Sequence, residues 1–378
     1  MLWVRKSMAN ILDYVEWRAD IDFTASEFNE IDSLILSQLV YIGFDGIVSD
    51  SNKEPLTLKD VSEKFFSVHD EKYILGALLP KEIVTLLKVA GDSVRFGGLK
   101  LSCYVNHVDK DRQEQFSAVT FELNDGIFIA FRGTDDTLIG WKEDFNMCFI
   151  SPVPAQEESV KYLNYVLSLY GWRSGKVRIG GHSKGGNLAV YSAVFCPKKF
   201  RKKIVSVYNN DGPGFDEAMM KNPLYQAMLS KITTFLPQSS TVGMLLEHEE
   251  PYIVVQSTAL GVFQHDVFSW QLKGKHFITT SLSENCRFLD KTLKNWLAGM
   301  DNQQRMHFVD VLFEILSAGD AENLSELESK KLTSIKKSVQ TIITMSNDDK
   351  KVLFETIKQL VNVGTNNFRE QMQNKKKD

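Results

Sequence analysis

The chain of 378 residues lacks several features that would each have placed it in a class. Its four cysteines, Cys103, Cys148, Cys196 and Cys286, are scattered and include no C-x-x-C pair. That spacing argues against a disulfide scaffold and against a zinc site, and no metal or other cofactor is expected. The 44 basic and 48 acidic residues leave a net charge of -4, without the basic excess that nucleic-acid binding calls for. No window reaches the roughly 18 apolar residues of a membrane-spanning helix. Met1 to Tyr14 has neither an apolar run nor a small-residue cleavage site, and Asp13 and Glu16 follow closely. It does not read as a signal peptide, so the expected location is the cytoplasm. Met8 leaves the start open between itself and Met1. No repeat or low-complexity linker divides the chain.

What the chain does have is the stretch Val177 to Pro197, V-R-I-G-G-H-S-K-G-G-N-L-A-V-Y-S-A-V-F-C-P. Val177 and Ile179 alternate as in a buried strand. Gly181-His182-Ser183-Lys184-Gly185 fits G-x-S-x-G, and a run of small and apolar residues then leads to the stop at Pro197. This reads as strand, tight turn, helix. On such a turn a serine hydroxyl projects from the sheet, while Gly181 and Gly185 let strand and helix pass closely. Lys184 presents its backbone N–H at a helix N-terminus, where an oxyanion would be stabilised. The other reading is a purely structural Gly-rich turn.

The first ninety residues read as helical. Thr24-Ala25-Ser26-Glu27 looks like a capping box leading into Phe28, Ile31, Ile35, Leu39 and Ile42. Thr57 to Asp60 repeats the signal, and Pro80 opens a third helix that Gly91 closes. These helices are expected to pack against the sheet edge. From Val94 the period changes: Ser93 to Phe96, Leu99 to Val105 and Phe116 to Leu123 read as strands, with Asn124-Asp125-Gly126 as a hairpin turn. Ile127 to Phe131 is apolar throughout, as a strand covered on both faces should be. It ends in Arg132-Gly133-Thr134-Asp135-Asp136. There the Thr134 N–H is a candidate second oxyanion donor, with its hydroxyl as an added one; the plainer alternative is a turn that caps a helix.

Phe131-Arg132-Gly133-Thr134, then Trp141 and Asp144, then Gly181-His182-Ser183-Lys184-Gly185-Gly186-Asn187-Leu188-Ala189 resemble the class 3 (fungal-type) triacylglycerol lipases in order and separation. The form G-H-S-K-G-G-N-L-A, with N-N-D-G-P-G-F and Q-H-D-x-F-S-W further on, is similar to a bacterial α/β-hydrolase family related to those lipases. The resemblance covers roughly residues 94 to 280. It implies an α/β-hydrolase fold, a nucleophile at Ser183 and an oxyanion residue at Thr134. It also implies a mobile lid over Asp136 to Phe145.

A serine needs a base, and the base an acid, expected in the order Ser, acid, His. Of the downstream histidines, His307 lies on a helix as a surface residue and His248 sits among acids like a solvated loop. His265 stands on a loop beyond the strand Ile253-Val254-Val255 and is the first choice; His276 is second. The lipases carry the acid after the second strand beyond the nucleophile. There this chain reads Phe235 to Val242 with no carboxylate. One strand earlier, Asp211 follows Lys203 to Tyr208 and is the candidate, against a turn-forming role or a dyad without an acid.

The Lys184 side chain, where the lipases carry an apolar residue, either favours an anionic substrate or pairs with a carboxylate on the surface. Val242, Met244, Leu245 and Leu246 form a candidate acyl pocket or plain core. Beyond about residue 283 the chain is helical, with stripes of Leu289, Leu293, Trp296, Leu297 and Met300 and of Leu353, Ile357, Leu360 and Val361, and a frayed Lys375-Lys376-Lys377 tail. That region is a cap, a partner surface or extra core. The domain reading is therefore a helical region over 1–92, a hydrolase core over 93–282 and a helical region over 283–378. The functional expectation is a serine hydrolase acting on a small-molecule acyl ester or lipid through Ser183, His265 and Asp211. The alternative is a hydrolase-fold protein without turnover that serves as a binding or regulatory module.

Overall fold

The computed structural model describes residues 9–318, 323, 326 and 331–374. The choice between Met1 and Met8 and the lysine tail lie outside the described residues. Eight strands line up in chain order: β1 (Leu56–Thr57), β2 (Lys100–Asp109), β3 (Glu114–Leu123), β4 (Gly126–Phe131), β5 (Lys176–His182), β6 (Ile204–Asn210), β7 (Ile232–Pro237) and β8 (Tyr252–Val255). Antiparallel pairings join β1 to β4, and β4 to β8 run parallel.

The apolar run of β4 follows from its place in this sheet. Successive side chains of a strand alternate, so Phe128 and Ala130 enter one core while Ile127, Ile129 and Phe131 enter the other. The first core is closed by the helix Glu30–Leu39, which crosses β4, β5 and β6. The second is closed by the helices Pro154–Tyr170 and Lys184–Phe195. A buried phenylalanine such as Phe128 is worth about 3–5 kcal/mol against alanine.

Several sequence expectations are corrected here. The helix after Phe28 starts at Glu30, with Asn29 as its cap: the Asn29 side chain accepts from the Ile31 N–H at 2.9 Å, and Asp32 accepts from the Asn29 N–H at 2.9 Å. Thr24 belongs instead to a turn made by Asp22, whose carboxylate accepts from the Thr24 and Ala25 N–H groups. Nor do the N-terminal helices all lie along the sheet edge: Leu58–Phe66 meets the edge strand β1, but Glu30–Leu39 covers the centre and is buried along nearly its whole length. Val94–Gly97 is a helical turn and not a strand. It carries the Arg95 guanidinium inward to Asp32, at 2.8 and 2.5 Å, and that buried pairing outweighs the local β preference of Val94 and Phe96.

The C-terminal helices Glu284–Ala298, Asn302–Ser317, Lys331–Thr344 and Asn347–Asn374 surround a third, smaller core of Phe308, Val309, Val311, Phe313, Ile315 and Leu353. They meet the rest of the protein on the helix Leu138–Met147, where Phe145 packs on Phe313 with ring centres 5.7 Å apart and Lys142 pairs with Asp310 at 2.7 Å. Of the expected stripe on the last helix, Leu353 is buried, while Ile357 and Val361 are exposed and Thr356 faces inward instead. The Trp296 indole N–H donates to the Thr356 carbonyl at 3.1 Å, which sets that rotation.

Candidate active site

At the end of β5 the chain turns sharply at Ser183, with φ 58 and ψ -135. A non-glycine residue in such a conformation costs on the order of 1–3 kcal/mol and persists only where its surroundings hold it. Here the Ser183 N–H donates to the Asn210 carbonyl of β6 at 3.0 Å. The flanking glycines are required by contact: a Cβ on Gly181 would stand 2.2 Å from the Gly185 carbonyl carbon, and one on Gly185 2.2 Å from the Phe131 oxygen. Lys184 is the first residue of the next helix, so its N–H is among those an α-helix leaves without an internal partner.

His265 ends a short turn, Gly261–His265, beyond β8. Its Nδ1 lies 2.6 Å from Asp211 Oδ2. Asp211 follows β6 in a positive-φ conformation and is fully buried. Its other oxygen accepts from the Ser240 hydroxyl at 2.5 Å. Ser240 sits just past β7, where a carboxylate was sought and none occurs, so that loop supplies a donor to Asp211. The His265 backbone is anchored as well: its carbonyl lies 3.0 Å from His182 Nε2, and the two imidazole centres are 4.5 Å apart. Because a carbonyl only accepts, His182 Nε2 carries the proton, and His182 Nδ1 accepts from the Tyr41 hydroxyl at 3.3 Å. Burial, reinforced by the neighbouring His265, holds the His182 pKa well below its ordinary value. His182 is thus a neutral ring that positions His265.

The other histidines lie elsewhere. His276 is exposed and bonded to Glu30 at 2.9 Å, and His307 is bonded to Asp349 at 2.6 Å. His248 is not on a solvated loop: it is buried between Glu250 at 3.0 Å and the Gly243 carbonyl at 2.6 Å. Glu250 also accepts from Thr234 at 2.5 Å and from Tyr225, which is why an acid-rich segment folds inward.

Thr134 follows β4, on the loop beside the Ser183 turn, where Arg132 bonds Asp135 at 2.9 Å and Asn106 at 2.9 Å. The Thr134 hydroxyl donates to Asp144 Oδ2. The hydroxyl, expected as an added oxyanion donor, is therefore committed to Asp144, and the backbone N–H is what remains of Thr134. Burial pushes the Asp144 carboxyl up to about 6, against the opposing pull of Lys184 and Thr134. The Lys184 side chain is neither on the surface nor open to an anionic ligand. Its Nζ reaches Glu143 at 2.9 Å, the Gln115 side chain at 2.8 Å and the Gln115 carbonyl at 3.0 Å, with both charged groups almost fully buried. Glu143 accepts in addition from the Ala155 N–H at 2.8 Å. The helix Leu138–Met147, which occupies most of the segment expected to be a lid, folds over Lys184 and takes it inside.

Ser183 and His265 line a cavity of about 650 Å³, within the range of small-molecule sites. Thr134, Asp144, His182, Ser183 and His265 are among its polar lining, with Asp135, Asp136 and Asp266 beside them in the chain. Trp141, Phe145 and Phe149 come from the helix Leu138–Met147 and its end, Trp296, Leu297, Phe308 and Val309 come from the C-terminal helices, and Met300 comes from the turn between the first two of these. Of the four residues expected to wall a pocket, Val242 and Leu245 line it, and Met244 and Leu246 do not. Tyr41 and Ser240 escaped the sequence reading, since a lone tyrosine and a serine in Gln238-Ser239-Ser240 carry no mark of a site; of the three alternatives left for the C-terminal region, a cap agrees with its place in the cavity wall.

The strand order and the helices on both faces define an α/β protein. The Mbeg1-like family model matches residues 90–314, over half of the chain, and the chain belongs to that family. No curated protein matches it. Among solved structures it is similar to the lipase of Rhizomucor miehei in complex with its propeptide, with 18% identity over 42% of this chain and a TM-score of 0.33. The chain spans 57% of that lipase. It is also similar to a fungal lipase in an inhibitor complex described as a model for interfacial activation, with 14% identity over 66% of this chain and 81% of that one and a TM-score of 0.36.

Proposed function

We propose that the protein is a serine hydrolase of the α/β-hydrolase fold that cleaves a carboxylic ester, of a lipid or an acylated metabolite, with a thioester as a close variant. The observation that carries this reading is the 2.6 Å pairing of buried Asp211 with His265, which lines the same cavity as Ser183 on its strained turn. With Nδ1 committed to Asp211, His265 keeps Nε2 for the Ser183 proton. Ser183 Oγ attacks the acyl carbonyl as that proton leaves. The backbone N–H groups of Thr134 and Lys184 hold the oxyanion, and each is worth on the order of 100- to 1000-fold in kcat. The protonated His265 then donates to the leaving alcohol, and water releases the acyl group by the same route. Asp211 stays ionised and keeps the imidazole in the right tautomer. On this reading Asp211 serves in place of the acid that the class 3 lipases carry one strand later.

A fluorophosphonate probe tests the reading. Labelling is expected in the native chain and in Ser192→Ala, whose hydroxyl is buried on the helix away from the cavity and donates to Ala189. It is expected to vanish in Ser183→Ala. Failure of the native chain to label would favour a hydrolase-fold binding protein without turnover.

A further inference from the structure

We infer that the C-terminal helices and the turn at Met300 are part of the substrate site, that they hold a long acyl chain, and that Met300 helps to set its length. The inference rests on the ester-hydrolase reading above and goes beyond it by naming the substrate class. The cavity is chemically divided. Its carboxylates, its imidazoles and Ser183 belong to the strand ends, their loops and the helix Leu138–Met147, whereas Trp296, Met300, Phe308 and Val309 offer a wall of hydrocarbon and ring. The cation on that wall, Arg305, turns its guanidinium to the Leu297 carbonyl at 3.0 Å and to Asn302 at 3.2 Å. Nothing on this wall calls for a charged or hydrogen-bonding group of the ligand.

The other end of the cavity is open. Leu78, Val262 and Phe263 line it and are also 63, 57 and 75% exposed, so the leaving group has a way out between those two loops. Met300 and Phe308 line it and are 6 and 8% exposed, so the hydrocarbon wall lies inside. A cavity of about 650 Å³ has room for a long acyl chain with its ester. Each further methylene buried along such a wall raises kcat/KM about fourfold until the cavity is full.

The test uses the full chain and p-nitrophenyl esters from butanoate to hexadecanoate, with cis-parinaric acid, a fluorescent fatty acid, as an independent binding probe. In the native protein kcat/KM is expected to climb with chain length. In Met300→Trp, which fills part of the wall, the ratio of the hexadecanoate to the butanoate ester is expected to fall at least about tenfold. In Met300→Ala, which widens the same wall, the preference is expected to move toward longer chains. Val361→Ser, at an exposed position on the last helix, should keep the native ratio. A flat or falling chain-length profile with Ser183 fully labelled by fluorophosphonate would overturn the inference and leave the hydrolase reading standing. So would ratios that ignore both Met300 substitutions. An absence of labelling and turnover, with cis-parinaric acid bound by the native chain and displaced in Met300→Trp, would do the reverse.

Discussion

Asp211 is held at both carboxylate oxygens, by His265 at 2.6 Å and by Ser240 at 2.5 Å, so its amide is a sharp probe of the proposed chemistry. Asp211→Asn keeps the shape; with the Ser240 hydroxyl donating to the amide oxygen, the amide N–H faces His265 Nδ1 and makes it an acceptor, which favours the wrong tautomer. Steady-state kinetics should show kcat reduced by on the order of 10⁴ with little change in KM. Asp144 makes a different prediction. Its carboxyl is pushed up to about 6 by burial, whereas in an unfolded chain it titrates near 3.9. The folded state therefore binds this proton more tightly, and the stability linked to it is complete below about pH 4 and lost as the pH rises through 6. The loss amounts to about 2–3 kcal/mol. Asp144→Asn cannot titrate, so urea midpoints should show its stability gaining on that of the native chain by this amount between about pH 4 and 7.

At the scale of elements, the helix Leu138–Met147 is tied to the nucleophile turn by the pair Lys184–Glu143, in the segment where a mobile lid was expected. Removing one partner of a buried pair leaves the other charge stranded, at a cost of about 3–5 kcal/mol. Lys184→Met should lower stability by that amount, and Lys184→Met with Glu143→Gln should recover most of it. Denaturant unfolding of the two single variants and the double variant measures the coupling. The same pair explains how a lysine stands directly after Ser183: its charge is spent inside the protein on Glu143 and Gln115.

At the scale of the whole molecule, two large cores flank the sheet, and a third, smaller one serves the C-terminal helices. Stability divides along the same line. Native-state hydrogen exchange is expected to give the strongest protection to amides of β3 to β6, and to show the C-terminal helices opening at lower free energy. Cys148 and the apolar cavity wall would become accessible in that opening. Uniform protection across both regions would count against this division.

The elements that local pattern governs were legible in the sequence. The strand–turn–helix around Ser183 was readable because its glycines, serine and small-residue helix follow one another within a few residues, and β4 because a strand covered twice has no polar face. The Asn124-Asp125-Gly126 turn and the capping signal at Thr57 belong to the same group. Long-range pairings were not legible. Arg95 reads as β by its neighbours, yet it is drawn into a helical turn by Asp32, 63 positions earlier. The approach of Asp211 to His265, 54 positions apart, the inward turn of His248 and the arrival of Met300 at the cavity depend on which surfaces the sheet brings face to face. Amino-acid order settles backbone preference over a turn or two, whereas the partner of a buried charge, and the wall a distant helix builds, follow from burying apolar area across the whole chain.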